Sequence, residues 1–410
     1  MDTSMTHWKK PFFMIAIGQT ISLIGSSAVQ FALIWWLASG SGSPMIMALS
    51  SLLAFLPQLI LGPFAGVWVD RMNRKAIAMG ADLFIGVVAL VFALTFIGGT
   101  PSFMWVCVVL GVRGIGGVFH TPAIQSIIPM LVPKEELVRA GGWSQFMMSG
   151  AFMLGPVLGA AMFAILPMPV ILLSDTLGAL VAVGTMALVK IPQVVRANPE
   201  APHFFREMKA GAQVLLRDKK LALVTLATVA TLIFYMPMAS YYPLMSSSYF
   251  HVSAWHASLV ELAYALGMMG TALIISAFGR IKRKFPVIYA GLFSMGLASL
   301  ISGLLPSTAW AFWVFAFACA LMGAGANVYN IPYTAYIQES VPPEAQGRVF
   351  SLTATLMSIT MPLGLLISGP VAEKYGVAHW FLIAGIAVIV LCAAFWVLHL
   401  RLTQKNKDVV

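Results

Sequence analysis

The chain has 410 residues, of which 60% are hydrophobic and 9% charged, far more apolar surface than a soluble globule of this size can bury; it belongs in a bilayer. A formal charge of +10 would suit a nucleic-acid partner only if the bases clustered on one solvated face. Instead, every Lys and Arg except Arg113 and Lys374 falls on one side of a series of apolar segments, so the charge reports topology, with both termini and the long middle loop cytoplasmic and no nucleic-acid partner expected.

The apolar segments read as 11–37, 45–69, 76–97, 103–131, 140–165, 168–189, 220–245, 254–278, 285–305, 309–337, 349–370 and 379–400. Each is long enough to cross about 30 Å of hydrocarbon at about 1.5 Å per residue. The first follows Lys9 and Lys10, is too long for a signal peptide and has no small-residue cleavage site after it, so it is expected to stay as a span. Within it Gln19, Ser22, Ser26 and Gln30 are spaced to share one helical face, and a polar face inside a span points to protein or water.

Between the second and third segments lies a short charged loop. Gly66, Asp70, Arg71, Arg74 and Lys75 sit there between segments that carry almost no charge, which places the loop at a membrane surface. Asp70 is placed either to pair with the bases or to meet the positive end of a helix. Asp82, two turns into the third segment, is expected to complement the loop cations. Arg113, about ten residues into the fourth, sits near the bilayer centre, where a charge costs about 2.5 to 3.5 kcal/mol and needs a partner or water. His120 is read as a satisfied helix-end residue.

Small residues mark the fifth segment, where Gly142, Gly155 and Gly159 allow close helix approach and Pro156 removes a ladder hydrogen bond. Asp175 and Glu261 each lie about two turns from the external face, where a carboxyl can exchange a proton, bind a cationic cargo or bond to a neighbouring helix. The seventh segment offers Tyr235, Pro237, Ser240, Tyr241 and Tyr242, and the tenth offers Asn327, Asn330, Tyr333 and Tyr336. Aromatic rings with a few amides suit a large apolar guest bearing an amine. Tyr241, Tyr242 and Tyr249 are equally readable as interface anchors.

One long connection, 191–219, opens with Pro192, Pro199 and Pro202 and continues as a basic amphipathic run expected to lie along the cytoplasmic interface. It divides the chain into halves, 1–190 and 220–410. The halves repeat: Arg71 and Arg280, Arg74 and Arg283, Gly114 and Gly323, Gly116 and Gly325, Pro133 and Pro342, Arg139 and Arg348, and Gly155 and Gly364 all differ by 209 positions. Asp70 and Arg113 have Gly279 and Met322 as their counterparts, so the first half carries charges that the second lacks. Cys107, Cys319 and Cys392 lie in separate apolar segments and imply no disulfide framework. No phosphate-binding loop or metal-ligand cluster is present, so neither ATP hydrolysis, another enzymatic reaction nor a cofactor is expected.

The spacing from Gly66 through Lys75 resembles the loop motif of the major facilitator superfamily, with Asn73 where glycine is usual, tolerable because Asn accepts a left-handed turn. Arg113 followed by Gly117 resembles that family's fourth-helix motif, which implies proton coupling; a structural Arg bonded to carbonyls of the first helix remains the alternative. Gly142, Gly155, Pro156 and Gly159 resemble its antiporter motif, with Ala151 and Ala160 replacing two glycines, and so imply export. The stretches GQTISLIGSSAVQ, HTPAIQSIIPMLVPKEEL, NIPYTAYIQ and GRVFSLTATLMS are similar to the Mef-type macrolide efflux group, bacterial drug and proton antiporters.

The resemblance implies an all-α membrane fold of twelve transmembrane helices in two pseudo-symmetric six-helix bundles, with cargo at their interface. It further implies a monomer that exports hydrophobic drugs, macrolides first, by proton antiport in the bacterial cytoplasmic membrane. Proton-coupling candidates are Arg113, Asp175 and Glu261; cavity candidates are Gln19, Ser22, Ser26, Gln30, Tyr235, Ser240, Asn327, Asn330 and Tyr333. Two alternatives stay open: an exporter of an endogenous siderophore or lipid-like compound, and a non-transporting membrane receptor or assembly partner.

Overall fold

The computed structural model describes residues 8–133, 136–191, 204–278 and 281–405. Most of the linker's proline-rich part, 192–203, lies outside the described residues, as do the side chains of Asp70 and Arg71 and the surroundings of Gly66 and Gly142. Among the described residues the regular structure is all helix, and it contains 12 helical stretches long and apolar enough to cross a membrane.

In the first half these are α1 (Lys9–Ser41), α2 (Pro44–Arg71), α3 (Arg74–Ile97), α4 (Phe103–Leu131), α5 (Leu137–Ile165) and α6 (Met168–Leu188). An amphipathic helix, α7 (Phe204–Arg217), follows and packs on α13 (Pro343–Tyr375), where a Cβ on Gly211 would come 2.7 Å from the Arg348 carbonyl. In the second half α8 (Lys219–Tyr235) and α9 (Met238–Leu244) share one stretch, Lys219–Tyr249, and α10 (Ala254–Phe278), α11 (Lys284–Leu304), α12 (Ala309–Ser340), α13 and α14 (Val377–Lys405) are the other five. Large apolar side chains point outward on many of these helices, including Ile97, Ile165, Leu188, Leu273 and Phe317, a surface that only lipid can cover.

The ends of the helices have local causes. Ser102 caps α4 by accepting from the Trp105 amide, and Asp218 caps α8 by accepting from the amides of Lys220 and Leu221. Asn73 caps α3 by accepting from the Ala76 amide at 3.2 Å, with φ −69° and ψ 105°. The turn it was expected to accept, left-handed, is therefore not the one it makes: Asn replaces glycine here as a helix cap. The segment expected over 220–245 is one span, Lys219–Tyr249, but its helix is interrupted at Met236–Pro237, where proline has no N–H to give to the ladder. It closes in a π-helical turn, Met245–Tyr249.

Two compact units emerge, Met1–Ser41 with Leu49–Ala201, and Gly42–Ala48 with Pro202–Val410. Inside each, glycines 209 positions apart make matching approaches. A Cβ on Gly116 would come 2.5 Å from Ile85, and one on Gly325 would come 2.5 Å from Ser294. Ile85 and Ser294 are themselves 209 positions apart. The same helix pairs thus approach at the same small residues in both units, as a duplicated bundle requires.

The short segment Gly42–Ala48 is held in the second unit by Glu373. Its Oε2 accepts from the Ser43 hydroxyl at 2.7 Å and from the Met45 amide at 2.9 Å, a carboxylate at the positive end of α2. Glu373→Ala should remove about 1 kcal/mol of local stability and speed hydrogen exchange at the Met45 amide. Unchanged exchange there would show that the carboxylate is not the cap.

Candidate functional site

The close approaches on one side of the first unit leave room on the other. Gly155 faces Ser27 and Gly159 faces the Ala28 carbonyl, so α5 lies tight against α1. Gly114 lets α4 approach the Ala54 carbonyl of α2, where a Cβ would come within 2.6 Å. By contrast, Gly117 and Gly141 have nothing within 4 Å. They line a cavity of about 550 Å3 formed by α1, α3, α4 and α5 in the half of the unit nearest the α1 N-terminus. This volume lies in the range of small-molecule sites.

The wall is mostly apolar, with Phe12, Ile124, Met147, Met148 and Phe152 among its residues. Three of its polar groups, Gln19, Asp82 and His120, meet in one patch. Gln19 of α1 donates from Nε2 to Asp82 Oδ2 at 2.9 Å; His120 of α4 places Nε2 2.8 Å from Gln19 Oε1 and 3.2 Å from Asp82 Oδ1. Asp82 is 4% exposed, and the His120 side chain is 24% exposed. These are not the positions expected for them. Among the described loop cations Asp82 complements neither: Arg74 reaches the Ser126 carbonyl and the Met130 sulfur, and Lys75 reaches the carbonyls of Ala187 and Val189. His120 is not a helix-end residue either, since α4 runs on to Leu131 and the ring faces the cavity.

Gln19, Ser22 and Ser26 all line this cavity, as one helical face should; Gln30, a further turn along, does not. The Ser26 hydroxyl also donates to Asp175 Oδ1, and the other oxygen of Asp175 takes Arg113 Nη2 at 2.5 Å. This pair is buried, with Arg113 7% and Asp175 0% exposed, and Nε and Nη1 of Arg113 have no hydrogen-bond partner among the described residues. Carbonyls of α1 are therefore not what neutralises Arg113. The approach that makes the pair possible is again glycine-built: a Cβ on Gly178 would come 3.0 Å from Ser22 Cα, so α1 and α6 nearly touch. Ser26 thus lines the cavity and also touches the buried pair.

In the second unit the expected residues are more dispersed. Glu261 is half-buried on α10 and makes no hydrogen bond or ion pair among the described residues. Tyr333 bonds to Thr225, Asn327 donates to the Met268 carbonyl, Asn330 is exposed near Thr334, and Tyr235 and Ser240 are buried. None of them lines the cavity of about 360 Å3 found in this unit, which is bordered by Lys282, Lys284, Pro332 and Glu339. Tyr241 and Tyr242 are not interface anchors: both are buried, bonded to Ser368 and to the Met322 sulfur.

The sequence profile of the Major Facilitator Superfamily matches residues 15–365. The chain belongs to that superfamily. It is 39% identical to Macrolide efflux protein A of Streptococcus pyogenes over 390 residues, 95% of each chain. A second Macrolide efflux protein A, from Enterococcus faecalis, is 39% identical over 326 residues, 79% of this chain and all of that one. In fold, it superposes with a TM-score of 0.72 and 16% identity on a bacterial homologue of the human lysosomal transporter Spinster, solved inward-facing and unoccupied, over 98% of each chain. The superfamily chain described here is thus a multi-pass protein of the bacterial membrane with the major facilitator fold. What residue-by-residue reading missed was the cavity's charge cluster. The available signal was an acid and a histidine inside spans flanking the polar face that begins at Gln19.

Proposed function

We propose that this superfamily member is a secondary active exporter, not an enzyme, that moves hydrophobic drugs of the macrolide class outward by alternating access in exchange for protons. The observation that carries the reading is a mostly apolar cavity of about 550 Å3 whose polar face is one hydroxyl, Ser26, away from the buried Arg113–Asp175 pair. A dry ion pair beside a cargo chamber is a proton switch in waiting. Protonating Asp175 would release Arg113, and a guanidinium already short of partners would then seek others. The relatives named for macrolide efflux support the cargo class.

In this reading the chain works as a monomer, with both termini and the linker 191–219 cytoplasmic and bundles over 1–190 and 220–410. The loop residues Gly66, Asp70, Arg71, Arg74 and Lys75 gate the cycle, and Gly142, Gly155, Pro156 and Gly159 carry the antiporter helix packing. Glu261 is held as a second proton acceptor. Reconstituted in vesicles with an imposed pH gradient, the protein should drive a macrolide against its gradient while protons flow the other way. Drug movement indifferent to the gradient would refute antiport, and normal pumping by all of Arg113→Gln, Asp175→Asn and Glu261→Gln would refute these assignments.

A further inference from the structure

Asp82 and His120 are the only titratable residues among those lining the 550 Å3 cavity. They are joined there by an amide that fixes the hydrogen-bond directions. Gln19 gives its Nε2–H to Asp82 Oδ2, which leaves its Oε1 as an acceptor, so the His120 nitrogen 2.8 Å away must carry a hydrogen. That nitrogen, Nε2, is a donor in either charge state of the ring. The proton that His120 gains or loses is therefore on Nδ1, which has no hydrogen-bond partner among the described residues, on a side chain that is 24% exposed and lines the cavity.

Among the described residues no other charge pairs with this patch. On α3 itself, Arg74 and Lys75 are turned to backbone carbonyls and, for Arg74, to the Met130 sulfur. From α1 and α4 the patch is faced by Gln19, Thr20, Thr121 and Gln125, and across the cavity from α5 by Ser144 and Gln145, all uncharged. Toward α6, Arg113 and Asp175 form an ion pair with each other. The net charge of the cavity is therefore set by one proton. With His120 protonated, it balances Asp82 and the cavity is neutral; without that proton, the cavity carries a single negative charge.

Resting on the efflux reading above, we propose that the Gln19–Asp82–His120 cluster is the subsite for the protonated amine of the cargo, and that this ammonium and the His120 proton occupy it alternately. The exchange balances. The Nδ1–H bond of the imidazolium breaks as its proton forms an O–H bond with cavity water and leaves for solvent, while the cargo arrives with its ammonium intact and hydrogen-bonds to Asp82. The positive charge lost from His120 is replaced by that of the ammonium, so the cavity is neutral before and after. Both cations together would leave a positive charge in an apolar chamber, which electrostatics disfavours by about tenfold or more at these separations. Met147 and Met148 beside the patch supply the adaptable apolar contact that a bulky ring needs.

The test uses the purified full chain in detergent and four probes: a macrolide with a dimethylamino sugar, its neutral aglycone, a lipophilic tertiary amine and the corresponding neutral amide. Wild type should bind each amine at least about tenfold more tightly than its neutral counterpart and release protons into weakly buffered solution as it binds. Asp82→Asn should abolish the preference while keeping the affinity for the neutral compounds, and Asp82→Glu should restore it. His120→Gln should keep amine binding and lose the proton release. Retained preference in Asp82→Asn, undiminished proton release in His120→Gln, or wild type binding neither amine would overturn the assignment. Binding of the lipophilic amine without the macrolide would refute the macrolide reading and leave the subsite standing.

Discussion

Asp175→Asn should be among the most destabilising single substitutions in the first unit, costing about 3 to 5 kcal/mol and visible as a lower melting temperature in detergent. The carboxylate is fully buried and accepts from Arg113 and Ser26 at once. Taking its charge away leaves the guanidinium of Arg113 in a dry interior, and two of its nitrogens are without partners even now. An uncompensated buried charge, not the loss of the pair's own attraction, sets this magnitude.

The same argument predicts that the double variant Arg113→Met with Asp175→Leu melts closer to wild type than either single variant, because it removes both charges from a site that hydrophobic side chains can fill. That double variant is the informative one for function. A pair kept only for packing could be exchanged without loss of transport, whereas a pair that switches on protonation could not. A stable double variant that binds drug and no longer responds to the pH gradient would support the switch. An Asp175→Asn protein as stable as wild type would remove its basis.

Much of this architecture was legible because the bilayer enforces it. A span must be long, apolar and helical, so the segment read as 103–131 and the helix Phe103–Leu131 have the same limits. The 209-residue repeat was legible because glycines needed for close approach leave no latitude for substitution within a helix pair. What could not be read was which charge meets which. Arg113 and Asp175 stand 62 positions apart, and Asp82 and His120 are on different helices again. Their meeting depends on how far each helix is rotated, and helical periodicity fixes faces within one helix but not between two. The charged loop misled for the same reason: Arg74 and Lys75 lie close to Asp82 in sequence but are drawn to carbonyls near the ends of α4 and α6. Asn73 shows a local limit, since one residue type serves both left-handed turns and helix caps.

Gly323→Leu should cost the second unit about 1 to 3 kcal/mol or more, because the atom it adds has nowhere to go. A Cβ at Gly323 of α12 would fall inside van der Waals contact of the Tyr264 carbonyl of α10 and 3.3 Å from the Met268 amide. Both are backbone of a packed helix and cannot swing aside as a side chain would. On the facing helix Gly267 meets the Ala320 carbonyl in the same way, so each helix seats the other through a residue without a side chain. One turn further along α12, Asn327 donates to the Met268 carbonyl at 2.7 Å, a bond that would lengthen as the helices part. Melting of the purified protein in detergent is the measurement, with Gly270→Ala as its control. Gly270 lies on the same helix α10 with nothing within 4 Å, and its substitution should be neutral or slightly stabilising. The repeat then makes a further demand. Gly114→Leu, 209 positions earlier and 2.6 Å from the Ala54 carbonyl by its Cβ, should destabilise the first unit similarly. If Gly323→Leu melted like Gly270→Ala, neither contact could be the close helix crossing that the duplicated bundle depends on.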